Sequence, residues 1–124
     1  MTIWQADDQS SEPFQGMLLL SRGRTGLTQR QLADRVGVSV RSIQDWEAGV
    51  SYPSTERLQQ LIAALLEAGG LNAGRETEEA RALWAAVERA SPRMHAPFDA
   101  LWFARLLGER AASAAEPEDR KSVV

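Results

Sequence analysis

The chain has no cysteine, one histidine and one lysine in 124 residues. Without cysteine there is no disulfide, no thiol nucleophile and no sulfur ligand for zinc. The lone His95 cannot build a histidine metal cluster, and it sits between the breakers Pro92 and Pro97, where it reads as a loop residue. Long apolar runs are missing too. The longest, Met17-Leu18-Leu19-Leu20, stops at Ser21-Arg22, far short of the roughly 20 residues that cross a bilayer. The first residues, MTIWQADDQSSEP, are acidic and lack the basic-then-apolar order of a signal peptide. Asp7-Asp8 and Glu78-Glu79 are paired carboxylates with no nucleophile or base beside them, and Gly69-Gly70-x-x-x-Gly74 lacks the Lys-Ser/Thr of a phosphate-cradling loop. The expectation is a cytoplasmic chain with no cofactor, metal, membrane partner or enzyme chemistry.

What is present is ordinary in amount: 44% hydrophobic and 25% charged residues, enough to pack one domain with an appendage. The net charge of −3 argues at first against a nucleic-acid partner. Its distribution says otherwise. Residues 1–12 carry −3, 13–60 carry +2, 61–90 carry −2, 91–115 carry +1 and 116–124 carry −1. The one sizeable positive block is thus 13–60.

From Pro13 onward the chain reads as helices divided by short breakers, with no segment alternating at the period of a strand. Helix 1 is expected over Phe14 to about Arg24, with Phe14, Met17, Leu18 and Leu20 inward, ended by Gly26. Thr28 caps helix 2, Gln29 to Val36, and Gly37 stops it. Ser39 caps helix 3, Val40 to about Ala48, stopped by Gly49. Tyr52-Pro53 is an extended connector. Ser54 caps helix 4, whose Leu58, Leu61, Ile62, Leu65 and Leu66 follow the stripe of an amphipathic helix. Helix 5 spans about Glu76 to Ala90, with Ala80, Leu83, Trp84 and Val87 on one face and an acidic first turn that suits the helix dipole. Pro97 suits the first turn of helix 6, where Phe98, Leu101, Trp102, Arg105 and Leu106 recur at helical spacing.

The informative segment runs from Leu27 to Gly49. Two short helices meet across Gly37-Val38-Ser39, a turn that needs a residue tolerant of positive φ. Ala33 lets the helices cross closely, and Leu32, Val36, Val38 and Ile43 fill the wedge between them. This is the geometry of a helix-turn-helix, whose second helix projects into a major groove. On helix 3, Val40, Arg41, Gln44 and Asp45 share one side, while Ile43 and Trp46 turn to the core. Arg41 can donate two hydrogen bonds to guanine, Gln44 can pair with adenine, and Val40 can touch a thymine methyl. Arg41 can equally bridge to Asp45 one turn on. Asp45 repels phosphate unless it accepts from a cytosine amino group or pairs with Arg41. Ser42, Arg30 and the N-terminus of helix 2 suit backbone contacts. Arg22 and Glu47 read as a structural ion pair, and Trp46 as core.

The pattern Arg22…Gly26-Leu27-Thr28-Gln29-x-x-Leu32-Ala33-x-x-x-Gly37-Val38-Ser39-x-x-x-Ile43-x-x-Trp46-Glu47-x-Gly49 resembles the Cro/C1-type (XRE-like) helix-turn-helix family over roughly residues 14–67. The resemblance implies an all-α, lambda-repressor-like bundle, here with two additional C-terminal helices, and sequence-specific binding of double-stranded DNA, commonly in transcriptional control. It also implies that Gln29, at a position where the family holds an amide, reaches a phosphate. The candidate DNA-binding set is therefore Gln29, Arg30, Ser39, Val40, Arg41, Ser42, Gln44 and Asp45.

The expected organisation is a disordered lead-in at 1–12, the helix-turn-helix domain at 13–70, a helical extension at 71–112 and a flexible tail at 113–124. The extension carries the aromatics Trp84, Phe98, Trp102 and Phe103; either Trp84, Phe98 and Trp102 pack back onto helix 4, or part of this surface meets a second copy or another domain. The segment Ala82-Leu83-Trp84…Pro97-Phe98-Asp99-Ala100-Leu101-Trp102-Phe103 is similar to the region after the helix-turn-helix of large bacterial signalling proteins. In those, a regulatory NTPase of the NB-ARC/STAND type and WD40 repeats follow. That resemblance implies a second function class, a protein-interaction adaptor without DNA-binding duty. The final Asp119-Arg120-Lys121-Ser122-Val123-Val124 is the translation of a common sequencing-adapter read, GATCGGAAGAGCGTCGTG, and holds the single lysine. The expectation is a native gene that continues past this point, which resequencing the locus decides.

Overall fold

The structure is a computed structural model that describes residues 13–91 and 96–123. The lead-in at 1–12 and His95 lie outside the described residues. Among those described, the chain forms six helices and no strand: α1 (Phe14–Thr25), α2 (Gln29–Val36), α3 (Val40–Ala48), α4 (Thr55–Glu67), α5 (Glu76–Ala90) and α6 (Ala100–Val123).

The expected punctuation sets the boundaries. Thr28 and Gln31 form a reciprocal cap: Gln31 N donates to the Thr28 hydroxyl at 3.1 Å and Thr28 N donates to Gln31 Oε1 at 2.9 Å. Two otherwise orphaned donors at the start of α2 are so satisfied. Ser39 accepts from Ser42 N at 3.1 Å and Ser54 accepts from Arg57 N at 3.3 Å, which starts α3 and α4. Between α2 and α3 the chain turns at Gly37, φ 84°. The N–H groups of Gly37 and Val38 both donate to Ala33 O, at 2.8 and 3.0 Å. Any Cβ at that φ is strained, which is why a glycine closes the turn.

One apolar core joins all six helices. It takes Phe14 and Leu18 from α1, Leu32, Ala33 and Val36 from α2, and Ile43 and Trp46 from α3. Leu58, Leu61, Ile62, Leu65 and Leu66 come from α4, Ala80, Leu83, Trp84 and Val87 from α5, and Phe103 from α6. The stripes expected on α4 and α5 are buried as read. Leu20, expected inward, is 56% exposed. The small Ser21 is buried in α1 instead. At Gly70 the loop after α4 passes so close to α1 that an added Cβ would lie 2.9 Å from Ser21 O and 2.8 Å from Thr25 Cγ2.

The last helix differs from expectation at both ends. It starts at Ala100, after Asp99, whose Oδ1 accepts from Trp102 N at 3.0 Å. That cap places Pro97 and Phe98 ahead of the helix. Phe98 lies edge-on to Trp84, ring centroids 5.8 Å apart, and Arg81 lies 4.9 Å from the Phe98 ring centroid. The helical face is rotated accordingly: Leu101, expected inward, is 77% exposed, while Phe103 is buried. The indole Nε1 of Trp84 donates to Ala96 O at 3.0 Å, satisfying its one buried donor. The helix runs on to Val123 rather than stopping near residue 112. The run Ala111-Ala112-Ser113-Ala114-Ala115 gives it the local propensity to continue.

Candidate nucleic-acid interface

α3 is divided by its own sequence into two faces. Ile43 and Trp46 are buried, which fixes the rotation of the helix. Arg41 and Gln44 are then exposed, and Asp45 half-exposed, on the opposite side, while half-exposed Ser42 stands at the flank, one turn before Trp46. Val40 is split: it stands at the helix start but is partly buried and packs against the core, so only part of its surface faces outward.

Behind this face lies a polar network around Glu47, which is 8% exposed. Arg22 Nε donates to Glu47 Oε2, Arg22 Nη2 donates to Glu47 Oε1 at 3.2 Å, and Arg22 Nη1 donates to Leu27 O at 3.0 Å. The ion pair expected between Arg22 and Glu47 is therefore present, in the bidentate form that best offsets the cost of burying the two charges. Gln29 Nε2 donates to Glu47 Oε1 at 2.9 Å, and Gln29 Oε1 accepts from Gln44 Nε2 at 3.5 Å. The amide of Gln29 is thus turned between α2 and α3, towards Glu47 and Gln44. At the start of α2 its backbone N–H keeps the position of an unsatisfied helix donor.

The remaining site residues divide in two. Arg30 is exposed and has no side-chain partner among the described residues. Ser39 and Ser42 are occupied locally: the hydroxyls lie 3.2 Å apart and Ser39 caps the helix. Arg41 Nε donates to Asp45 Oδ1 at 3.1 Å across one turn of α3, so the local pairing open to Arg41 from the sequence is made here. Arg57 was not singled out from the sequence. Its Nη1 donates to Gly37 O at 3.1 Å and ties the start of α4 to the turn that aims α3. Its signal was spacing alone, three residues after the cap Ser54. Among the described residues no group of three or more histidines and carboxylates gathers where a metal ion would sit.

Two short helices held at a glycine turn, the second turning exposed Arg41 and Gln44 outward, are the geometry of a DNA reader. Residues 21–65 match the helix-turn-helix family. The match is of the Cro/C1, XRE-like type, and the all-helical fold is consistent with a lambda-repressor-like bundle. The matched stretch opens in α1 and closes in α4, so it holds Arg22, Gln29, Arg41, Gln44, Glu47 and Arg57 together. The helix-turn-helix is followed by α5 and α6, which lie outside the match. No curated protein and no solved structure matches the chain. No helix among the described residues is long and apolar enough to cross a membrane.

Proposed function

We propose that the chain binds double-stranded DNA sequence-specifically through its helix-turn-helix, as a cytoplasmic transcriptional regulator and not as an enzyme. One observation carries the reading most: the face of α3 opposite buried Ile43 and Trp46 bears Arg41 and Gln44, side chains that pair with guanine and adenine in a major groove. In this reading Arg41 and Gln44 address base edges and Val40 lends its exposed part to a thymine methyl. Arg30, the hydroxyls of Ser39 and Ser42, and the backbone N–H of Gln29 set the register on phosphates. Asp45 acts on Arg41. In this reading the DNA-binding unit spans 13–70, and the helices that follow it are an extension.

Mobility-shift titration of the whole chain against a random duplex pool tests the reading. Binding that weakens steeply with salt, and that enriches a defined site, is the expected result. A folded chain that binds no duplex at low salt overturns it.

A second reading has its own observation. On α6 Leu101 is 77% exposed, beside half-buried Trp102, and this edge suits a second copy or a downstream domain. A dimer would place two reading helices about one turn of DNA apart. An adaptor duty at the front of a larger regulatory NTPase uses the same edge without DNA. Sedimentation of the chain alone, and with duplex, separates these outcomes.

A further inference from the structure

The guanidinium of Arg41 is held at one edge. Its Nε donates to Asp45 Oδ1 over 3.1 Å, yet the side chain stays 80% exposed, against 28% for Asp45. Neither Nη has a partner among the described residues. A carboxylate fixed at Nε sets the plane of the fork and leaves the two Nη donors as a free pair. Two coplanar donors match O6 and N7 of a guanine, the commonest specific contact of a major groove. Holding the fork in place before binding lowers the ordering cost of that contact.

Asp45 also has a cost. A carboxylate on the face that approaches a polyanion weakens binding to every duplex. It lies one turn further along α3, is less exposed than the arginine and already serves it, so a cytosine amino group would have to compete with the bond to Nε. Its two effects on DNA binding run in opposite directions: less affinity for duplex in general, more discrimination at one base.

We propose that Asp45 is a positioning residue that presents Arg41 to a guanine, and so makes guanine the base this helix selects at the Arg41 position. The inference rests on the DNA-binding reading above. It names the base that the site would take and the residue that sets the preference.

The test uses the whole chain and a duplex enriched from a random pool. Affinities are compared with guanine, adenine or 7-deazaguanine at the preferred position, for the unaltered chain and for Asp45→Asn, Asp45→Glu and Arg41→Ala, each checked for folding by circular dichroism. The unaltered chain should favour guanine over adenine by about fivefold to a hundredfold, and lose most of that preference with 7-deazaguanine, which lacks the N7 acceptor. Arg41→Ala should abolish the preference. Asp45→Asn should shrink it at least several-fold while tightening binding to a scrambled duplex. Asp45→Glu, which keeps an i,i+4 carboxylate, should restore much of it. An unchanged guanine preference in Asp45→Asn overturns the inference. So does loss of a cytosine preference instead, which would make Asp45 itself the reader. A duplex bound with no guanine dependence defeats the inference alone, whereas no binding to any duplex defeats the DNA-binding reading beneath it.

Discussion

Gln29, the first residue of α2, and Glu47, the last carboxylate of α3, are joined by a 2.9 Å hydrogen bond from Gln29 Nε2 to Glu47 Oε1. Through it the first helix of the motif is tied to the second at the same carboxylate that receives Arg22 from α1. The buried charge is shared between a cation and an amide, and that sharing fixes how α3 is aimed.

Glu47→Ala should leave Arg22, itself only 22% exposed in its side chain, without its partner. The expected cost is about 1–3 kcal/mol, below that of a fully buried pair because water reaches part of the arginine. Thermal unfolding measures it. The double substitution with Arg22→Ala should cost less than the sum of the two single ones.

Gln29→Glu should be worse than Gln29→Ala for stability. The new carboxylate would stand against Glu47 Oε1, where Gln29 now donates, and like charges at that distance repel. Denaturant midpoints of the two variants check the order. In duplex titrations Gln29→Ala should weaken binding across sequences, since it frees Gln44 as well as removing its own link to Glu47.

Arg30→Ala should leave the fold untouched, because Arg30 is exposed and unpartnered among the described residues. Its effect should fall on all duplexes alike, and the slope of log affinity against log salt should lessen by about 1, the signature of one lost phosphate contact. A sequence-dependent effect would place Arg30 at a base instead.

Trp84→Ala should cost about 3–5 kcal/mol, as large aromatic deletions in a core do, since Trp84 is buried, stacks edge-on against Phe98 and binds Ala96 O. Gly70→Ala should cost about 1–3 kcal/mol by overpacking, because the added methyl meets backbone of α1 and α4. Calorimetry reads both. A single cooperative transition lowered in each variant is expected from one shared core.

Most of this fold was written in local signals. Thr28, Ser39 and Ser54 stand at the helix starts that they cap, and the apolar stripes of α4 and α5 point where their spacing puts them. α6 was harder because Phe98, Leu101, Trp102 and Phe103 offer two overlapping helical phases. The choice between them falls to Asp99 as a cap and to Trp84 as a partner for Phe98. Leu20 misled for a similar reason, three leucines in a row giving no phase of their own. In the candidate site the residue types were legible and their partners were not. That Gln29 faces Glu47, that Glu79 accepts from both Arg24 and Asn72, and that Arg57 holds Gly37 O depend on how distant segments meet. The pairing of Arg41 with Asp45 needed only the i,i+4 spacing, and that spacing showed it as one of two choices.

Whether α3 reads DNA is decided by selection from a random duplex pool followed by mobility-shift titration at rising salt. The expected result is an enriched site containing guanine, affinity that falls linearly on a log–log salt plot, and loss of site preference in Arg41→Ala. A folded chain that shifts no duplex at low salt, or that binds all duplexes equally with Arg41 present, would contradict it.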